Sequence, residues 1–260
     1  REQFGKYRMN NNREHGVTEA FVRLANSLVG EFDVIELLSG LTSECAQLLD
    51  IASAGLLLAD EREVLHVVAA SSETTRLLEV FQLQREQGPC LDCFHTGQPI
   101  SVADLEEHRT RWPQFVEVAT SAGFASVHAV PMRLRKTALG TLGLFGSQSG
   151  ALNDEDLELA QALAQVASIA LVNGPTMPDA RAIGSQLSST LRNRASLEQA
   201  KGLLAQVGNL DMDQAFAVLR RYARDHEMAL SKVTDDLVQR ELDARTVLAN
   251  VAGILGENQV

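Results

Sequence analysis

The chain has 260 residues, 45% of them hydrophobic and 22% charged, with 34 acidic against 23 basic side chains and a net charge of −11. That composition is ordinary for one or two globular domains able to bury a sizeable core, and the overall charge argues against uniform attraction to nucleic acid. No run of eighteen apolar residues occurs, so no membrane span is expected, and three cysteines, few and odd in number, point to a reducing cytoplasmic setting.

In chain order, residues 1–16 are polar, lack the apolar centre of a secretory signal, and read as a flexible N-terminal segment. Apolar residues at 17, 21, 24, 25 and 28 have helical spacing, and Asp33 is placed to cap a second helix running to about Leu49. The period then changes. Ala54–Ala59 and Glu63–Ala70 read as strands of a hairpin around Asp60, Glu61 and Arg62. Glu73–Gln84 returns to helical spacing, Pro99–Val102 is a short extended piece, and Arg111–Gly123 reads as a helix closed by its glycine. Ser126–Leu134 and Leu139–Gly146 form a second hairpin turning at Arg135, Lys136 and Thr137, before Asn153 or Asp154 caps a long amphipathic helix to Val172. Short turns between consecutive strands imply antiparallel pairs, and flanking helices give an α/β sandwich. Asn173-Gly174-Pro175-Thr176-Met177-Pro178 is a breaker, and 173–184 reads as a linker.

Beyond the linker the pattern is helical only, and the charge shifts. Residues 1–180 hold 13 basic and 24 acidic side chains, whereas residues 190–224 hold six basic and three acidic. Asp211 and Gln214 have capping-box spacing at the head of a helix with an apolar stripe of Ala215, Phe216, Leu219 and Ala223. Arg220 and Arg224 share a face of that helix with Arg221 beside them, and Arg194 and Lys201 lie two turns apart on the helix before it. Ser231 is a plausible cap for a third helix bearing Val233, Leu237 and Val238. Forked guanidinium groups suit phosphates and can stack on bases. Tyr222 either stacks on an unpaired base or plugs the helical core; Arg220, Arg221 and Arg224 either meet a phosphate backbone or pair with Asp225 and Glu227; Lys201 either meets a phosphate or pairs with Glu198. Ile183, Leu187, Leu191 and Leu197 make a partial apolar seam that suits either a homodimer or packing within one chain.

Two resemblances organise these readings. Residues 17–172 resemble a GAF domain through Gly97-Gln98-Pro99-Ile100-Ser101-Val102-Ala103-Asp104-Leu105, Ala122–Met132 and Gly140-Thr141-Leu142-Gly143-Leu144-Phe145. Residues 185–245 resemble an ANTAR domain, the RNA-binding module of transcription antiterminators. The matching residues are Arg194, Leu197–Leu204, Ala215-Phe216, Leu219–Ala223 and Leu237-Val238, with residues 246–260 left as a tail. The resemblances imply an α/β GAF-type sandwich followed by a C-terminal all-α three-helix unit. They also imply a signal-responsive antiterminator that binds RNA hairpins through Arg194, Lys201, Arg220, Arg221, Tyr222 and Arg224. A DNA-binding regulator, or a sensor whose C-terminal helices dock a partner protein, is the alternative.

In the front half, Cys90-Leu91-Asp92-Cys93 follows Gly88-Pro89, a helix start that favours thiolates, and offers a redox site. The plainer reading is two ordinary thiols, and without a second ligand pair the motif is a poor metal site. His66 and His128 fall in strands as core or pocket-lining residues, and Leu56, Leu58, Val67, Val130 and Met132 make an aliphatic sheet surface that a small apolar ligand could meet. No cofactor is expected. With no glycine-rich phosphate loop, Gly-x-Ser-x-Gly elbow or His-Glu-x-x-His motif, nothing points to an enzyme.

Overall fold

The computed structural model describes residues 15–26, 33–49, 51–172 and 180–255. They divide into two compact units, the second made of residues 188–255 together with residues 33–36. No helix among the described residues is long and apolar enough to cross a membrane.

Helix α1 (residues 15–26) and α2 (Val34–Leu48) come first. Asp33 caps α2 as expected, its Oδ1 accepting the Ile35 and Glu36 N–H groups at 2.8 and 3.2 Å. Strands β1 (Ser53–Ala59) and β2 (Leu65–Ala70) form the first hairpin. Asp60 Oδ1 accepts the N–H groups of Arg62 and Val64 in its turn, where Glu63 is left-handed. Helix α3 (Glu73–Arg85) is capped by Ser72, and α4 (Pro89–Thr96) opens on a proline whose missing N–H costs nothing there. Then follow β3 (Ile100–Val102), α5 (Pro113–Ser121), β4 (Ser126–Leu134), β5 (Thr137–Gly146) and α6 (Asp154–Val172). The sheet order is β2-β1-β5-β4-β3 and every pairing is antiparallel.

Every residue of β1 is buried, so the sheet is covered on both faces. Leu57, Val127, Ala129 and Phe145 face a cluster with Cys90, Phe94, Trp112 and Phe115 from α4, α5 and the residue before it. Alternation sends Leu56, Leu58, Val130, Met132 and Leu144 to the opposite face, and α6 packs against β4. Val67 departs from the expected aliphatic surface: it packs on the Cys90–Phe115 cluster. A register shift pairs Leu56 with Ala69 but Leu57 with Val67, so one extra residue of β2 reverses its alternation.

Helices α7 (Ala180–Gly208), α8 (Met212–Asp225), α9 (Leu230–Val238) and α10 (Ala244–Leu255) follow one another, the second unit taking α7 from Ser188 onward. Their core contains Leu197, Ala200, Leu204, Ala215, Val218 and Leu219. The capping box of α8 is complete, with Asp211 accepting from the Gln214 N–H at 2.7 Å and Gln214 returning the bond at 3.0 Å. Ala229, not Ser231, occupies the cap position of α9. Left-handed Glu227 turns the chain sharply, Leu230 enters the core, and the Ser231 N–H goes to Asp33 Oδ2 at 2.6 Å. Helix α10 occupies sequence assigned to a tail. Asp243 Oδ1 accepts the Arg245 N–H, and Ala244 and Val247 join the core. Of the apolar seam, Leu197 is a core residue and Leu187 is buried. The linker expected at 173–184 falls mostly on residues outside those described.

Two substitutions test this packing. A Cβ on Gly140 would lie 1.9 Å from the Leu57 carbonyl oxygen, so Gly140→Ala destabilises the first unit by about 1–3 kcal/mol, read by denaturant melting of Trp112, the chain's single tryptophan. Asp211→Ala removes a helix cap and costs about 1 kcal/mol, seen as a lower midpoint in far-UV circular dichroism, with Trp112 fluorescence unchanged.

Candidate nucleic-acid interface and sensor core

Helix α8 divides sharply into an apolar and a basic side. Ala215, Val218, Leu219, Tyr222 and Ala223 recur at three- and four-residue spacing and are buried. The intervening positions therefore put Arg220, Arg221 and Arg224 at the rim or outside. Arg221 and Arg224 are exposed, and Arg220 is half-buried.

The six expected contact residues separate into three environments. Arg194 and Lys201 on α7 are buried, at 9% and 5% exposure, and flank one carboxylate: Arg194 Nη2 lies 2.5 Å and Lys201 Nζ 3.3 Å from Glu198 Oε1. The Lys201–Glu198 pairing weighed from the sequence is thus present. Tyr222 is 6% exposed, within the core, its ring stacked on His226 with centroids 4.0 Å apart. It takes the core-plugging of its two readings. Arg221 makes a double contact with Asp225 at 2.7 and 2.9 Å. Arg224 makes no ion pair or side-chain hydrogen bond among the described residues.

Phe216, read from the sequence only as part of the apolar stripe, gathers two of these cations. It is half-buried at the edge of the core. The Arg220 guanidinium carbon lies 5.8 Å and the Lys201 ammonium 5.9 Å from its ring centroid. Arg220 Nε is buried with no hydrogen-bond partner. Residues from two helices thus make a cation-flanked aromatic patch, continued along α8 by Arg221 and Arg224. The spacing between Lys201 and Phe216 could not reveal it, because it depends on how α7 packs against α8.

In the sensor-like unit all three cysteines are buried. Desolvation pushes the Cys45 and Cys93 thiols up to about 12, and it raises the Cys90 thiol well above its ordinary value, with the neighbouring Glu79 carboxyl adding to the rise. Low pKa and exposure, the requirements of a reactive thiol, are both lacking. His128 is buried, its Nδ1 lying 2.7 Å from Ser101 Oγ, and burial lowers its pKa. It borders a polar cavity of about 270 Å³ under the loop between β5 and α6, lined also by Ser126, Gln148, Asn153 and Asp156. Asn153 closes the head of α6, accepting the Asp156 N–H at 2.8 Å and donating to Asp156 Oδ2 at 2.9 Å. The aliphatic residues expected to meet a ligand are instead consumed by packing: Leu56, Leu58 and Met132 are fully buried.

Comparison with known proteins agrees with this division. Residues 33–172 match the GAF domain and residues 185–238 the ANTAR domain. No curated protein matches the chain. Among solved structures, the chain is similar to the GAF domain of an Acinetobacter phosphoenolpyruvate-protein phosphotransferase (10% identity, 67% of this chain and 94% of that one, TM-score 0.45). It is also similar to the GAF domain of a phosphoenolpyruvate-protein phosphotransferase from Coxiella burnetii (13% identity, 59% and 91% covered, TM-score 0.47). The two domain matches together cover most of the residues just described, and the chain belongs to the GAF-domain family, with an ANTAR domain following its GAF domain.

Proposed function

We propose that this regulator is a signal-responsive RNA-binding antiterminator, acting in the cytoplasm and not as an enzyme, whose α8 ridge grips an RNA hairpin. The observation that carries the reading is the convergence of Lys201 and Arg220 on Phe216 beside Arg221 and Arg224. RNA hairpins offer phosphates along the stem and unstacked bases in the loop. Arg221 and Arg224 suit the phosphates. The Arg221–Asp225 pair is exposed, and pairs of that kind are worth about 0.3–0.5 kcal/mol, so a phosphate oxygen can replace the carboxylate. Phe216 suits a splayed base, with Arg220 alongside it, while Tyr222 holds the helix that presents them. Arg194 and Lys201 act through Glu198 in setting the angle of that face. Tandem hairpins would favour a homodimer, each copy presenting one such face.

The GAF domain is read as the part that senses. Its buried thiols support a ligand signal over a redox one, and the polar cavity beside His128 and Asp156 suits a small hydrogen-bonding molecule better than an apolar one.

Gel-shift titration of the full chain with a structured hairpin, its loop mutants and duplex DNA tests the reading. Loop-dependent binding is expected. Equal affinity for duplex DNA would indicate a DNA-binding regulator, and no binding to either at low salt a partner-docking module; both outcomes contradict the proposal. Replacing Arg221 and Arg224 together with alanine lowers the slope of log affinity against log salt by about 1.5. Phe216→Leu, which keeps an apolar side chain, weakens hairpin binding by about 1–3 kcal/mol without altering that slope. Thiol titration of the native chain at neutral pH leaves Cys45, Cys90 and Cys93 slow to react, and denaturant releases all three; prompt native reaction would restore the redox reading.

A further inference from the structure

Helix α3 turns an unusual set of side chains inward. Its buried positions are Thr75, Leu78, Glu79 and Gln82, spaced as an apolar stripe would be but mostly polar. Glu79 is 0% exposed. Gln82 Nε2 donates to Glu79 Oε2 at 2.6 Å, and the Cys90 thiol donates to Oε1 at 3.5 Å. Gln82 Oε1 in turn accepts the Cys90 backbone N–H at 2.9 Å, so the amide is committed in one orientation.

The sheet makes room for this carboxyl. Gly55 on β1 and Gly143 on β5 are direct cross-strand partners. A Cβ on Gly55 would lie 2.9 Å from Glu79 Oε1, and a Cβ on Gly143 would lie 2.8 Å from both that oxygen and Cys90 Sγ. Two strands thus forgo side chains at facing positions, and the space is filled by a carboxyl and a thiol. An ordinary core would fill it with hydrocarbon.

The groups facing Glu79 supply no positive charge. On its own helix they are Thr75, whose hydroxyl donates to Ser53 Oγ, and Gln82; on α4 it is Cys90; on β1 and β5 they are the two glycines. From the other elements packed on α3, His66 of β2 is engaged by Asp60 and Glu117 of α5 is exposed. An ionised carboxylate here has only one amide and one weak thiol donor to replace water, and burial pushes the Glu79 carboxyl up to about 7.

We propose that the Glu79–Gln82–Cys90 cluster, set in the space left by Gly55 and Gly143, is a proton-binding site within the GAF domain. Protonation removes the buried charge and leaves the carboxyl hydrogen-bonded to neutral neighbours. Deprotonation places an uncompensated anion against two bare strand segments and loosens the contact of α3 with β1 and β5. The domain therefore carries a proton-responsive joint separate from its cavity, and the inference does not rest on RNA binding.

The sign of the effect follows from proton linkage. The folded domain holds a proton that an unfolded glutamate, titrating near 4.5, has already released. Stability from this group is full below that value and is lost as pH rises to about 7, above which nothing further changes. The test is the melting of the full chain, followed by Trp112 fluorescence, in wild type and Glu79→Gln, which keeps the shape and carries no charge. The melting temperature of wild type, relative to the variant, falls steadily between about pH 5 and pH 7 and then runs level. Parallel curves across the whole range would overturn the proposal. Infrared difference spectra of the wild-type chain give a second readout that does not depend on the variant folding: a protonated-carboxyl stretching band that disappears as pH is raised through neutrality. A chain whose buried carboxyl band is absent at pH 5, or persists unchanged to pH 9, would equally overturn it.

Discussion

The direction of one apolar stripe governs the C-terminal unit. Because Ala215, Val218, Leu219, Tyr222 and Ala223 must all enter a core shared with α7, α9 and α10, the rotation of α8 about its axis is fixed. Burial of that stripe contributes about 25 cal/mol for each Å² of apolar surface removed from water, whereas an exposed ion pair contributes a few tenths of a kcal/mol. The core therefore decides where the arginines point, and the charges follow. The three arginines spaced between the stripe positions emerge on one ridge, and the angle of α7 brings Lys201 to the same aromatic ring as Arg220.

The GAF domain shows the opposite economy. Its sheet is closed on both faces by hydrocarbon, yet near the middle two cross-strand glycines yield their places to a carboxyl and a thiol. A buried hydrogen-bonded group of this kind is costly unless every partner is in place. That the sequence spends two strand positions, a glutamine and a cysteine on it marks the cluster as built, and it removes Cys90 from the chemistry its Cys-x-x-Cys spacing suggested.

Much of this was legible beforehand. Strand and helix order followed from periodicity, Asp33 and Asp211 announced their helices, and the short turns gave antiparallel pairing. The misses have physical causes. Ser231 has the chemistry of a cap, but a sharp turn at Glu227 starts α9 earlier, so that its N–H is spent on Asp33. Helix α10 lies in a stretch that the resemblance leaves as a tail, although Asp243 stands ready to cap it. The site was less legible than the fold, because it depends on contacts between elements. No spacing rule foretells that Lys201 meets Phe216, or that Glu79 finds a glycine pair on strands far apart in the sequence.

The most direct test is photochemical crosslinking of the full chain to a hairpin RNA, with the attached peptides mapped by mass spectrometry. Crosslinks concentrated on residues 216–224, with Phe216 foremost and Tyr222 spared, are the predicted result. Crosslinks distributed over the GAF domain, or none in α8 despite saturating RNA, would contradict the account.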